Sequence, residues 1–588
     1  MSNFYSALVW TIACVVAYTA PRNTASAATH PNVIILIVDD QGYGDLSCHG
    51  NPVLKTPQLD RLHGESVRLT DFHVSPMCTP TRGQLMTGRD ALANGAMNVS
   101  SGRTLLRTEV PTMAELFAAA GYRTGQFGKW HLGENYPYRP HDRGFQEAVY
   151  FASSHVGSAP DAWNNDNFDD TYVHNGQRQA YRGYCTDVFF GEARRFIEGA
   201  HAEQKPFFVY LALNAAHGPL FVPQKYREPY KDQPHNIASF FGMIANIDEN
   251  VGQLDQLLQA KGLRDNTIFI YLTDNGGTAG IPVFNAGMRG KKIDLYDGGH
   301  RVPCFVRSPD GRLGKPRDVA ELTICQDLLP TLIDLCGLPK ASGAKFDGLS
   351  LVPLLSGEKT SLGERISVVQ FSRMDHPQPT YGDAAVLWNK WRLVSDRELY
   401  DIAADPAQQQ NVIQQHPDVV SRLRAYYAEW WSRVAPRIDE HAAITIGSDA
   451  ENPSRLSAAD WDDVFLDQQR QIRVGYKANG AWNVNVDRAG KYELTLSRWP
   501  LEADLPIVAP APAHRGPDGV LPAGVAIPAV RARLKVSDFD ESRPVTATDR
   551  SITFQVELKP GRTQLQGWLY DAQDRAVPGS YYVQVRRL

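Results

Sequence analysis

Cysteine is scarce, seven in 588 residues, which rules out a scaffold built on disulfides. Cys14 falls in a leader-like stretch and Cys78 in the densest motif of the chain. The other five, Cys48, Cys185, Cys304, Cys325 and Cys336, leave at least one thiol unpaired whatever bonds form among them. Basic stripes are also missing, and the formal net charge of −5 argues against a nucleic-acid partner. Long apolar runs are absent too. The run over 8–18 is too short for a comfortable membrane span, and no later segment is long and apolar enough to make one. Followed by Ala25-Ser26-Ala27, it reads as a secretory signal over 1–28, although its start carries no Lys or Arg. The chain is therefore expected to be exported, to a periplasm or to the outside. What is present is ordinary for a folded protein: 43% hydrophobic and 21% charged residues. The length calls for two or three domains.

Val33-Ile34-Ile35-Leu36-Ile37-Val38 is an unbroken apolar run of strand length, the pattern of a parallel strand buried on both faces. It ends in Asp39-Asp40. Two adjacent carboxylates there repel each other and resist desolvation, unless solvent or a divalent cation takes them up. The format recurs at 267–273, which ends in Asp274-Asn275-Gly276-Gly277. Open α/β sheets bind ligands outside the carboxyl ends of their strands, so the two acid pairs converge. Oxygen donors of this kind suit Ca²⁺ or Mg²⁺ rather than zinc. Two more strand-like runs lead into Lys129-Trp130-His131 and Asn214-Ala215-Ala216-His217. Helices are predicted over 112–120, 186–198 and 240–259. Alternation of this kind predicts a mostly parallel sheet covered on both faces.

The densest stretch is Cys78-Thr79-Pro80-Thr81-Arg82-Gly83-Gln84-Leu85-Met86-Thr87-Gly88. Pro80 suits the first position of a helix, which puts Cys78 just before a helix N-terminus, where anions are favoured. Arg82, about one turn in, adds a fixed cation. A buried structural cysteine is the bland alternative. The remaining residues resemble the sulfatase signature, C-x-P-x-R followed by two apolar residues, a small residue and Gly. Gly128-Lys129-Trp130-His131 resembles the second signature of that family, with Phe127 where a small aliphatic residue is usual. Arg289-Gly290-Lys291-Lys292 with Tyr296-Asp297-Gly298-Gly299-His300-Arg301-Val302-Pro303 resembles a third family segment. Counting back from Tyr296 selects Lys292 as the sulfate-binding lysine, with Lys291 the alternative.

The resemblance covers roughly 31–435 and implies an α/β fold. Its mostly parallel central sheet is sandwiched by helices, as in alkaline phosphatase, and is followed by a small α+β subdomain. The implied domains are a catalytic one over 29–315 and an antiparallel subdomain over 316–437. In that family Cys78 is oxidised to formylglycine by a formylglycine-generating enzyme, and the hydrated aldehyde is the nucleophile. One hydroxyl attacks sulfur; the other, once deprotonated, collapses to the aldehyde and expels sulfate. Asp39, Asp40, Asp274 and Asn275, with the modified Cys78, are implied to hold one calcium, magnesium being an alternative. Arg82, Lys129 and Lys292 neutralise the sulfate oxygens. His217 with Lys292 protonates the leaving oxygen, and His131 takes the proton in the release step. The expected substrate is a sulfated glycan, with small aryl sulfates also accepted. Ser154, His155, Arg373 and His376 are candidate sugar contacts, and the 163–168 stretch suits a glycan. A phosphonate monoester hydrolase on the same scaffold, or a glycan-binding protein with an inactive catalytic domain, are the competing readings.

Residues 438–588 lie beyond the resemblance. Short alternating runs at 482–486, 492–496, 552–558 and 581–587 predict a β-sandwich, with the Pro- and Ala-rich 500–528 as a long loop. In such a jelly-roll, Trp482 and Trp499 are either core residues or stacking platforms for sugar.

Overall fold

Along the Asn32–Val38 strand, Val33, Ile35 and Ile37 enter one apolar cluster while Ile34, Leu36 and Val38 enter another. Each face of the sheet thus has its own core, which is why the run needs no polar alternation. The computed structural model describes Met1 and residues 30–308, 311–339, 345–372, 374 and 376–588. The expected signal sequence and Arg373 lie outside the described residues. Pro31–Leu588 forms one unit.

The Asn32–Val38 strand pairs in parallel with Thr267–Thr273 on one side and Phe207–Ala212 on the other. Arg123–Lys129 and Glu147–Phe151 extend the parallel set. Beyond these five strands the sheet turns antiparallel. Cys304–Arg307 runs against Thr267–Thr273, and Thr171–His174 and Gln177–Ala180 close the other edge as a hairpin. Val67–Leu69 and Arg317–Val319 complete a ten-stranded sheet. It is therefore mixed, with a parallel centre, rather than mostly parallel throughout. The hairpin turns at Asn175-Gly176, both at positive φ, the two-residue signal for adjacent antiparallel strands.

Met113–Ala119 and Leu328–Cys336 cover one face; Cys185–Ala202 and His235–Ala260 cover the other. Thr112 caps the first of these helices, accepting from Glu115 N while Glu115 accepts from Thr112 N. Phe127 is fully buried against Phe196 of the facing helix. The next glycine, Gly128, has φ +100, and a Cβ there would lie 1.9 Å from Ala212 O.

A second sheet, Ile366–Gln370, Ala384–Trp388, Trp391–Val394 and Glu398–Asp401, is antiparallel and packs on the Pro417–Val434 helix. After it come a six-stranded and a four-stranded sheet whose apolar residues merge into one core. Trp482 and Trp499 are 0% and 1% exposed inside that core, so neither offers a face to a sugar. Within 500–528 only His514–Arg515 and Val520–Leu521 pair as strands. This loop folds back onto the first part of the chain, where Asp518 bonds Arg227 at 2.5 Å and Val222 N at 2.9 Å. None of the six described cysteines is in a disulfide. Among the described residues, no helix is long and apolar enough to cross a membrane.

Candidate active site

Four acid or amide side chains arrive at the carboxyl ends of two neighbouring parallel strands. Asp39 and Asp40 follow Asn32–Val38, and Asp274 and Asn275 follow Thr267–Thr273. Asp39, Asp40 and Asp274 are buried, with ligand oxygens all within 4.8 Å of one another. Three cations partner them. Lys129 Nζ lies 2.5 Å from Asp39 Oδ2, Lys292 Nζ 2.5 Å from Asp40 Oδ1, and Arg82 bonds Asp274 Oδ2 through Nε at 3.0 Å and Nη2 at 2.6 Å. Asn275 Nδ2 donates to Asp40 Oδ1 at 3.0 Å. Gly276 makes room for this turn, since a Cβ there would meet Gly298 O at 1.9 Å.

Two oxygens remain without hydrogen-bond partners although fully buried, Asp39 Oδ1 and Asn275 Oδ1. Burial and the neighbouring Asp274 push the Asp39 carboxyl up to about 8. Against burial, Lys292 and His217 hold Asp40 well below the usual carboxylate range. Unpartnered buried oxygens amid three carboxylates are what a hard divalent cation takes up, so these residues fit Ca²⁺ or Mg²⁺.

Cys78 opens the helix Cys78–Thr87, whose ten residues are all buried. Met77 is the N-cap, so Cys78 is the first helical residue and Pro80 the third, two positions later than expected. Both lie in the first turn, where N–H groups have no helical partner and proline is harmless. Burial pushes the Cys78 thiol up from its ordinary value, so as a plain cysteine it is a protonated and weak nucleophile. Arg82 does not reach open space; it is spent on Asp274 and on Lys129 O, 3.4 Å away.

The histidines are oriented by backbone carbonyls. His131 donates through Nε2 to Val99 O at 2.8 Å, which leaves Nδ1 buried and unpartnered. His217 donates through Nδ1 to Gly218 O at 2.7 Å and turns Nε2 towards Asp40 Oδ2, 3.9 Å away. Burial, reinforced by Lys292 and Lys129 and opposed by Asp40, pushes His217 down to about 4. Asp40 holds Lys292 in its ammonium form in spite of burial. His155 stacks on His217 with ring centroids 4.9 Å apart.

A cavity of about 380 Å³ opens over Cys78, and Ser154, His217, Lys291 and Lys292 line it. The Lys291 side chain is exposed, whereas Lys292 is seated on Asp40. His376 is exposed and lies outside this lining.

The sulfatase family profile matches residues 31–338, over half of the chain. This chain belongs to the sulfatase family. It is similar to N-acetylgalactosamine-6-sulfatase of Canis lupus familiaris, 30% identical over 61% of this chain and 72% of that protein. It is also similar to human arylsulfatase A, 32% identical over 65% of this chain and 78% of the relative. Among solved structures, Ps i-CgsB in complex with k-i-k-neocarrahexaose superposes with a TM-score of 0.63 at 25% identity, covering 68% of this chain and 93% of that one. The sulfatase is accordingly a sulfuric ester hydrolase.

Three residues of this sulfatase pocket escaped sequence reasoning. Phe465, Asp467 and Gln468 line it from the chain segment beyond the family match. Ser154 donates to Asp467 Oδ1 at 2.6 Å and lies 2.7 Å from His155 Nδ1. With its single proton committed to Asp467, Ser154 accepts from His155 Nδ1–H, leaving Nε2 as the imidazole's lone-pair nitrogen. Nothing local marked these three: they sit in a stretch read as a separate β-sandwich. The 163–168 stretch, by contrast, is mostly occupied by the fold itself. Asp166 N and Asn167 N donate to Asp170, and Trp163 packs on Trp499.

Proposed function

We propose that this sulfatase, exported to a periplasm or to the outside, hydrolyses sulfate monoesters of glycans, with small aryl sulfates also accepted. Cys78, converted to formylglycine by a separate maturation enzyme, supplies the nucleophile. Asp39, Asp40, Asp274 and Asn275 hold one calcium, or magnesium in its place. The cation, when bound, neutralises charge on the sulfate oxygens and lowers the pKa of the nucleophile beside it. The observation that carries this reading is the pair of unpartnered buried oxygens, Asp39 Oδ1 and Asn275 Oδ1, in the acid cluster that Lys292 joins to the cavity over Cys78.

The chain's own groups divide the work. Lys129, Arg82 and Lys292 supply positive charge around the sulfate, Lys129 and Arg82 also fixing the acids. The proton for the leaving oxygen comes from Lys292, which bonds Asp40, with His217 Nε2 facing the same carboxylate. His131 Nδ1 is a free lone pair, suited to take a proton in the release step. Ser154 lines the cavity over Cys78 and His155 the chamber beside it; both, together with Arg373 and His376, are the proposed sugar contacts. We further propose that 29–315 is the catalytic domain, 316–437 a supporting subdomain and 438–588 an accessory sandwich. The relatives named N-acetylgalactosamine-6-sulfatase and the neocarrahexaose complex support a sulfated carbohydrate as substrate.

The test is sulfate release from p-nitrophenyl sulfate and from a panel of sulfated monosaccharides. Wild-type protein should release sulfate from at least one, and Cys78→Ala from none. Release by Cys78→Ala at the wild-type rate overturns the reading.

A further inference from the structure

The cavity over Cys78 does not end at His217. A second chamber of about 600 Å³ adjoins it, and His217 and Gln468 line both. Its volume falls within the range of cavities that enclose a small ligand. The wall between and around the chambers comes from the 465–470 segment, and that wall is fastened. Asp467 O accepts from Ala159 N at 2.7 Å, and Gln469 N donates to Gly157 O at 3.1 Å. The Gln469 amide, 2% exposed, donates to Ser158 O and Ala162 O at 3.1 and 3.0 Å. On the far side stand Val520 and Leu521, in the loop that Asp518 pins to Arg227.

The charge of the outer chamber is one-sided. Arg470 and Arg473 line it, and no carboxylate does among the described residues. Arg473 is spent on carbonyls, Pro512 O and Pro522 O, each at 2.9 Å, so its charge has no acid beside it. Arg470 is exposed at the mouth and forms no ion pair among the described residues. Guanidinium groups so placed favour an oxyanion that can accept two parallel N–H bonds.

We propose that the two chambers bind one sulfated oligosaccharide. The unit to be desulfated lies over Cys78, and the neighbouring unit lies in the outer chamber with an anionic group, carboxylate or second sulfate, against Arg470. The C-terminal sandwich thereby completes the substrate cleft and selects for what stands next to the reacting sugar. This rests on the sulfatase reading of the inner pocket.

Sulfate release from p-nitrophenyl sulfate tests the inner pocket, and its failure counts against that reading alone. The outer chamber is read by calorimetric binding of three tetrasaccharides to the full chain: hyaluronan with carboxylates only, chondroitin sulfate with both groups, and cellotetraose with neither. At least one acidic tetrasaccharide should bind and cellotetraose should not. Binding of hyaluronan identifies the carboxylate as the recognised group; binding of chondroitin sulfate alone identifies the second sulfate. Arg470→Ala and the chamber-filling Leu521→Trp should each weaken binding at least about tenfold, roughly the loss of one charge-assisted hydrogen bond. Equal binding of the neutral tetrasaccharide, no binding of any, or unchanged affinity in both variants overturns the proposal.

Discussion

Lys291 and Lys292 are adjacent in sequence and unequal in space: one is exposed, the other lies 2.5 Å from Asp40 in the cavity wall. Lys292→Ala should therefore lower kcat/KM by about 10²–10³-fold, the usual cost of a lost charge-stabilising donor. Lys291→Ala should lower it far less, and steady-state kinetics on one sulfate ester separates the two. His217→Ala should slow esters of poor leaving groups most; equal loss across alkyl and aryl esters would count against a role beside the leaving oxygen. Much of this was legible in single residues. A strand ending in Asp39-Asp40, another ending in Asp274-Asn275, and spacing back from Tyr296 named side chains that the fold gathers at one place. Asp467 was not legible. A carboxylate acquires meaning from the Ser154 it accepts from, and that partner is 313 positions away.

Among elements, the antiparallel sheet is tied to the parallel one by a buried polar chain. Arg392, fully buried on the Trp391–Val394 strand, bonds Asp71 Oδ1 at 2.8 Å and Asp297 Oδ1 at 3.2 Å. Asp71 also bonds His73, whose other nitrogen meets His300 at 2.8 Å. Arg392→Ala strands two buried carboxylates and should cost about 3–5 kcal/mol in denaturant unfolding. Asp460 gives a pH signature. Burial alone pushes its carboxyl up to about 7, above the unfolded value of about 3.9. The folded chain then holds this proton more tightly than the unfolded chain does. Its contribution to stability is fully present below about pH 4 and is lost as pH rises through 7. Asp460→Asn should remove that decline, up to about 4 kcal/mol at pH 8; parallel Tm curves for wild type and variant across pH 4–8 would contradict it. At this scale the sequence was a good guide where periodicity and caps agree, as at Thr112. It failed for the sheet edges, because a short antiparallel strand and a parallel one carry the same alternation, and only the Asn175-Gly176 turn tells them apart.

For the whole molecule, three buried carboxylates at one point make folding and cation binding a single problem. Chelation should lower Tm, and calcium or magnesium should restore it where zinc does not. A cation present at about 1,000 times its Kd contributes about 4 kcal/mol. The resemblance extends to about residue 435, whereas the family profile matches 31–338. The C-terminal sandwich could be predicted as a fold, because its strands alternate, but not as a wall of the cleft. That role depends on the packing of 465–470 against 154–162, which no local pattern encodes. All of these roles turn on the chemical state of one side chain. The most direct measurement is the mass of the tryptic peptide containing Cys78, taken from protein that is releasing sulfate. The account predicts the mass for CHO in place of CH₂SH at position 78. An active preparation carrying only the unmodified thiol would contradict it.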